Sequence, residues 1–392
     1  MNEARAFPAR LRGRCEEEVD SPRAKSQEPK TNVSRQTRSF GPAPRRIRKS
    51  HFFPSHFRFV IEFSALQVRE EADGTFTRHL VRRTTAELPA GDILIRVAFS
   101  ALNYKDALSA SGHKGITRQF PHTPGIDAAG LVVESAVPEF QPGQRVLVTS
   151  FDLGMNTAGG FAEYIRVPAG WVVPLPDGLT LAESMILGTG GLTAALALWK
   201  LERNGLQPDH GPVLVTGASG GVGSVAVALL HRAGYRVLAA SGKPAAHALL
   251  RELGADEIVD RASVDDQSGK ALLPVRWAAA IDTVGGNMLS TAIKACRPEG
   301  SVAVIGLVAD NKFTTTVYPF LIRGVNVLGI ETGTTDIALR RELWQRLATN
   351  WRLPDLTALA SYIDLPALPA ALDRLLRGES VGRVVLRLAA PE

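Results

Sequence analysis

The chain has 392 residues, 45% of them apolar and 21% charged, long enough for two domains with buried cores and ordinary for a soluble protein. It contains no run of about eighteen uncharged apolar residues, and its amino terminus lacks the basic-then-apolar order of a secretory signal, so neither a membrane span nor export is expected. Two distant cysteines, Cys15 and Cys296, exclude a disulfide framework and point to a reducing, cytoplasmic setting.

The net charge of +6 is localised. Residues 1–58 hold fourteen Lys/Arg against six Asp/Glu, which leaves 31 against 33 in a nearly neutral remainder. This first segment is rich in Arg, Pro, Ser and Gln and has no helical or strand period, so disorder is expected. Glu16, Glu17, Glu18 and Asp20 argue against a transit peptide. Two readings stay open: a basic arm for nucleic acid or an anionic surface, and a start assigned too far upstream.

From about Phe59 short apolar strands begin. In "GDILIRVAFSAL" Ile93, Ile95, Val97 and Phe99 alternate with Leu94, Arg96, Ala98 and Ser100, the period of a strand. "GLVVE", "QRVLVTS" and "WVVPLP" continue the style, so residues 59 to about 180 read as mostly β. A long helical stretch follows, "DGLTLAESMILGTGGLTAALALWKL", with breaks expected at Gly188, Gly190 and Gly191. Six strands are then predicted, "PVLVTG", "RVLAAS", "DEIVD", "AAAIDTV", "GSVAVIG" and "VNVLGI", most of them separated by helices. That alternation predicts a doubly wound parallel sheet. The tail adds an amphipathic helix, "RRELWQRLATN", and a last strand, "GRVVLRL".

The most informative segment is "VLVTGASGGVGSVAVALL" (213–230). A strand ends at Thr216, a small-residue turn follows, and a helix starts near Val222, with Ala218, Gly220 and Gly223 in the places of the three fingerprint glycines. A dinucleotide needs this: a tight turn, backbone approach to the pyrophosphate, and a helix amino terminus whose unpaired N–H groups face the phosphates. Cofactor choice is read about twenty residues on, at the end of the next strand. There "RVLAASGKP" offers Ser241, Gly242 and Lys243 and no acid, which favours the 2′-phosphate of NADPH, with Arg261 a second cation after the third strand.

The motifs "SALNYKDAL", "PGIDAAG", "GGFAEY", "MILGTGGLTAAL", "VTGASGGVG", "SGKP", "AIDTVGG" and "TTVYPFLIRGVNVLG" together resemble the quinone-oxidoreductase branch of the medium-chain dehydrogenase/reductases, and more narrowly the YhdH/YhfP-type group that includes NADPH-dependent acrylyl-CoA reductases. The likeness covers residues 63 to about 388. It implies a GroES-like, mostly β catalytic domain (59–184 and 323–392) and a Rossmann domain (185–322), an α/β architecture whose tail returns to the first domain. It also implies a homodimer through the edge strand "VNVLGI".

The alcohol dehydrogenase branch holds zinc with Cys and His. This chain has Gly125, Ile126 and Asp127 where that branch has Gly-His-Glu, and no zinc is expected. In the "NYKD" box the resemblance places Asn103 and Tyr104 at the nicotinamide and substrate, Asn103 as an amide donor to a developing oxyanion and Tyr104 against the cofactor. Asp106 and Asp127 are candidates for orienting neighbours or, less directly, for proton transfer. Cofactor contacts carry over to Thr216, Ala218, Ser219, Gly220, Gly221, Val222 and Gly223, to Ser241, Gly242, Lys243 and Arg261, and to Leu307, Leu321 and Thr332. A loop with His113, Lys114 and Arg118 is a candidate contact for a coenzyme A phosphate. The expected function is reduction of acryloyl-CoA. A general quinone or alkenal reductase and a nucleic-acid-binding or nucleotide-sensing protein using the basic arm are the alternatives.

Overall fold

Strand patterning in the first third builds two antiparallel units. The computed structural model describes residues 60–388; the basic segment 1–58 and Cys15 lie outside the described residues. β1 (Glu62–Glu70) and β2 (Phe76–Thr84) form a hairpin. β3 (Ile93–Ala101) runs into α1 (Tyr104–Ala110), and β4 (Asp127–Ser135), β5 (Arg145–Thr149), β6 (Tyr164–Val167) and β7 (Val173–Pro174) follow. β3 is buried along nearly its whole length, because β4 and β6 pair with it while side chains pack on both faces.

α2 (Leu181–Arg203) opens with a capping box: Thr180 Oγ1 accepts from the Glu183 N–H at 3.1 Å and the Glu183 carboxylate accepts from the Thr180 N–H at 2.9 Å. Of the three breaks expected, only Gly188 leaves helical geometry (φ 51, ψ −154). Gly190 stays helical because it is needed for close packing: a Cβ there would lie 2.9 Å from Arg383 Nη1. α2 is long and apolar enough to span a bilayer, but 78% of its apolar window is buried in protein.

The second sheet is wound from β8 (Val213–Val215), α3 (Gly221–Arg232), β9 (Val237–Ala240), α4 (His247–Glu252), β10 (Glu257–Val259), β11 (Trp277–Asp282), α5 (Gly286–Lys294), β12 (Cys296–Val304), α6 (Tyr318–Arg323) and β13 (Asn326–Gly329). Its order is β10-β9-β8-β11-β12-β13 with every pairing parallel, the doubly wound arrangement of a dinucleotide-binding sheet. All six predicted strands are present. The boundary expected at 322 moves, because β13 completes this sheet by pairing with β12.

After α7 (Ile337–Ala348) the chain goes back: β14 (Ala360–Ile363), α8 (Leu368–Leu376) and β15 (Arg383–Arg387) return to the first sheet, whose order is β14-β15-β3-β4-β5-β7 with β6 on β3. One hydrophobic core runs through both sheets, from Phe99 and Leu147 across α2 to Val213, Leu229 and Trp344.

Candidate functional site

The turn after β8 carries the residues expected to meet a pyrophosphate. α3 starts at Gly221 with Gly220 as its cap, so the N–H groups of Gly221, Val222 and Gly223 lie in the first turn, where no intrahelical acceptor exists. Gly223 permits the close approach of helix to turn, since a Cβ there would run into the Gly217 carbonyl and lie 2.8 Å from Ala218 Cα. Two expected contacts are used up inside the fold. The Thr216 hydroxyl donates to Asp282 at 2.6 Å and accepts from the Thr283 N–H at 3.0 Å, tying β8 to β11. Ala218, fully buried, spends its N–H on the Ala240 carbonyl at 3.1 Å. Ser219 gives its carbonyl to the Gly382 N–H at 3.1 Å, so the start of β15 braces the turn.

The carboxyl ends of β9 and β10 carry Ser241, Gly242, Lys243 and Arg261, the residues expected to meet a 2′-phosphate. Ser241 Oγ accepts from the Lys243 N–H at 3.2 Å. The Arg261 side chain runs along Gly242, whose Cβ position lies 3.7 Å from Arg261 Cβ and Cδ. Lys243 Nζ donates to the Ser380 carbonyl at 2.8 Å, and partial burial lowers its pKa. Its ammonium thus faces the segment that leads into β15.

Where α1 begins, a buried polar network replaces the arrangement expected of "NYKD". Asp106 and Asp127 are both fully buried. Asp106 accepts from the Asn103 N–H and the Ile126 N–H, each at 2.8 Å. Asp127 accepts from the Thr189 N–H at 2.9 Å and the Thr189 hydroxyl at 2.6 Å. It therefore caps the half of α2 that restarts after the Gly188 kink, where a carboxylate is stabilised by the free N–H groups and the dipole. Arg383, 3% exposed, lies 3.8 Å from Asp127 and donates to the Ile186 carbonyl just before the kink at 2.9 Å. Burial and then the Asp127 charge push the Asp106 carboxyl up to about 7. Burial also raises Asp127, against the pull of Arg383. Arg383 and the donors from Thr189 and Asn103 favour the charged form of Asp127.

Asn103 sits on top of this network. Its Nδ2 donates to Asp127 at 2.8 Å and toward the Ala101 carbonyl at 3.3 Å, while its Oδ1 accepts from Arg383 at 3.3 Å. The free amide donor expected from the sequence is therefore absent here, because the amide is spent on fixing the start of α1. Proton transfer by Asp106 or Asp127 is corrected for the same reason: their oxygens are committed to buried donors. Tyr104, 38% exposed, and the exposed Lys105 are the side chains that α1 leaves at its surface.

Both halves match family models, residues 89–177 the alcohol dehydrogenase GroES-like domain and residues 221–349 the zinc-binding dehydrogenase family. The acrylyl-CoA reductase AcuI of Ruegeria pomeroyi is 40% identical over 329 residues, covering 84% of this chain and all of that protein. YhfP of Bacillus subtilis, named as a quinone oxidoreductase, is 43% identical over 83% of this chain and 99% of its own; its structure with NAD bound superposes with a TM-score of 0.81, covering 84% of this chain and all of that one. The Salmonella enterica YhdH oxidoreductase in complex with NADP gives a TM-score of 0.80 at 41% identity, over 83% of this chain and all of that one. The chain belongs to the quinone-oxidoreductase branch of the medium-chain dehydrogenase/reductases.

Within that family's fold the remaining expected residues separate. Thr332 is buried, its hydroxyl 3.4 Å from that of Thr193 and its carbonyl bound by Arg340. Leu307, 61% exposed, follows the carboxyl end of β12. Leu321 is 78% exposed on α6, whose Arg323 binds the carbonyls of Lys294 and Cys296. The loop cation Lys114 is engaged as well, paired with Glu70 at 2.5 Å and lying over the Phe76 and Phe120 rings. Among the described residues no three His, Cys, Asp or Glu side chains come together as a metal site.

Four residues of the site region were missed: Arg383, Arg340, Thr189 and Ser150. Arg340, fully buried, donates to the Thr149 carbonyl at 2.8 Å and sits 4.0 Å over the Phe151 ring. Ser150 (φ 58) and Phe151 (φ 52) hold left-handed backbone there, and Ser150 Oγ is 2.8 Å from the Thr189 hydroxyl. Such strain costs about 1–3 kcal/mol per residue and persists where the surroundings enforce it. The available signal was a charge at the start of the apolar run Val384, Val385 and Leu386: Arg383 is buried there, whereas Arg387 at the other end of the strand is exposed.

Proposed function

We propose that this chain uses NADPH to reduce an activated carbon–carbon double bond, with acryloyl-CoA as substrate and propionyl-CoA as product. The observation that carries the reading is the juxtaposition of Ser241, Gly242, Lys243 and Arg261 at the ends of β9 and β10 with the phosphate turn of α3. Two cations and a hydroxyl there suit a 2′-phosphate. The substrate is supported by the whole-length similarity to AcuI, since fold alone does not choose one.

When bound, NADPH supplies a hydride to the β-carbon. The first-turn N–H groups of α3 would hold the pyrophosphate, and Ser241, Lys243 and Arg261 would hold the adenosine end. Tyr104 would meet the nicotinamide, and Asn103, locked by Asp127 and Arg383, fixes the start of the helix that carries Tyr104. Asp106 and Asp127 are buried away from the substrate, so the α-carbon proton comes from water. β13 stands at an open edge of the parallel sheet, and we take that edge as the place where two copies pair.

A quinone or alkenal reductase is the second reading, favoured by the similarity to YhfP. The test is a spectrophotometric screen of NADPH oxidation against acryloyl-CoA, short alkenals and quinones. Turnover of acryloyl-CoA with little on quinones upholds the proposal, whereas quinone turnover with none on enoyl thioesters replaces it.

A further inference from the structure

We propose that Lys105 is the catalytic cation that binds the substrate's carbonyl oxygen as negative charge develops there. The inference rests on the enoyl-reduction reading and names the group that the reaction needs and that Asn103 does not supply. When hydride adds to the β-carbon, the double-bond electrons shift toward the carbonyl and an enolate oxygen forms. A proton from water then adds at the α-carbon, and NADP⁺ and the saturated thioester leave. Such an oxygen requires a preorganised donor.

The structure narrows the choice. The Asn103 amide is bound to Asp127 and turned toward Ala101. The carboxyls of Asp106 and Asp127 are buried, and so are the guanidinium groups of Arg340 and Arg383. Lys114 is paired with Glu70. Lys105 remains. It is exposed in the first turn of α1, next to Tyr104, while the opposite face of the helix packs through Ala107 and Ala110 into the core. A cation in a helix's first turn opposes the dipole, so helix stability does not explain it.

Its direction is given by Glu331, on which the Lys105 charge acts electrostatically. Glu331 follows β13 at the carboxyl end of the parallel sheet, beside the buried Thr332 and Thr193, and ligands of such sheets bind outside the carboxyl ends of the strands. The Glu331 carboxylate is itself fixed by the N–H groups of Gly333 at 2.5 Å and Thr334 at 2.7 Å. It is a fixed anion within electrostatic reach of the Lys105 ammonium, at the carboxyl end of the parallel sheet.

The experiment compares the parent with Lys105→Met, Lys105→Arg and Tyr104→Phe in the full chain. NADPH affinity is read by fluorescence titration, turnover by acryloyl-CoA reduction, and enolate stabilisation by the near-ultraviolet band of bound acetoacetyl-CoA. Lys105→Met should lower turnover about 100-fold, the loss for one oxyanion donor, with NADPH affinity held within about twofold. Lys105→Arg should recover much of that turnover, and the enolate band should appear in the parent and vanish in Lys105→Met. Turnover in Lys105→Met within about threefold of the parent overturns the proposal. An enolate band that is missing from the parent, unchanged in Lys105→Met, or lost instead in Tyr104→Phe also overturns it. Should the parent reduce alkenals or quinones and not acryloyl-CoA, the substrate reading fails by itself, and the same Lys105 comparison on the accepted substrate decides the role of the lysine.

Discussion

Gly188→Ala tests the buried network directly. The residue has φ 51 and ψ −154, a conformation that costs a side-chain-bearing residue about 1–3 kcal/mol. The added Cβ would also stand 2.5 Å from Asp127 Oδ2 and 2.8 Å from Arg383 Nη2. Neither atom can swing away, because Asp127 is held by Thr189 and Asn103 and Arg383 by Ile186. Separating a buried ion pair costs about 3–5 kcal/mol, so a total loss of about 5 kcal/mol is expected, a large part of a typical folding free energy of about 5–15 kcal/mol. Urea unfolding followed by tryptophan fluorescence measures it as a fall in midpoint at constant slope. Gly205→Ala is the control, since Gly205 has φ 88 with no atom near its Cβ position, and it should lose only the backbone share. A loss below about 1 kcal/mol in Gly188→Ala would refute the reasoning about the kink and its ion pair.

The folded protein holds the Asp106 proton up to about pH 7, whereas an unfolded aspartate releases it near 3.8. The stability Asp106 contributes is therefore complete below pH about 4 and disappears as the pH rises through 7. Asp106→Asn should be penalised most at pH 4 and least at pH 8, with the gap closing by a few kcal/mol; a gap independent of pH in urea titrations would count against it. Lys243→Asp should lower the NADPH-over-NADH ratio of kcat/KM by about 10-fold to 150-fold, the value of one charge-assisted contact, and an unchanged ratio would detach Lys243 from cofactor choice. Dialysis against a chelator should leave turnover unaltered, because no metal-ligating cluster exists among the described residues; activity lost to the chelator and restored by zinc would contradict this.

The parallel sheet was legible because strands buried on both faces read as unbroken apolar runs, as in "PVLVTG" and "GSVAVIG". The phosphate turn was legible because its demands are local: a Cβ at Gly223 meets residues only a few positions away. The network under α1 was hidden, since its members stand 24, 62 and 280 residues apart along the chain and meet only after folding. Asn103 consequently carried the wrong expectation. Read locally, an amide next to the nicotinamide is a donor to substrate; in the fold Asp127 claims it first. Lys114 shows the same limit, because its neutralisation by Glu70 depends on β1 lying beside the loop. Gly190 and Gly191 were read as breakers, when the first is the space that Arg383 occupies and the second the space against Leu187.

The kinked α2 bears on how such proteins can be recombined. It packs against β3, β4 and β5 of the first sheet and against α3 and α7, within a single shared core. A hybrid that joined one relative's amino-terminal half to another's nucleotide half near residue 185 would cut through this helix, and it would set Asp127 from one parent against Thr189 and Arg383 from the other. The exchangeable piece is therefore defined by the cap and its arginine. A transplant that keeps residues 127, 188, 189 and 383 from one source carries its own junction with it, wherever the sheets themselves are divided.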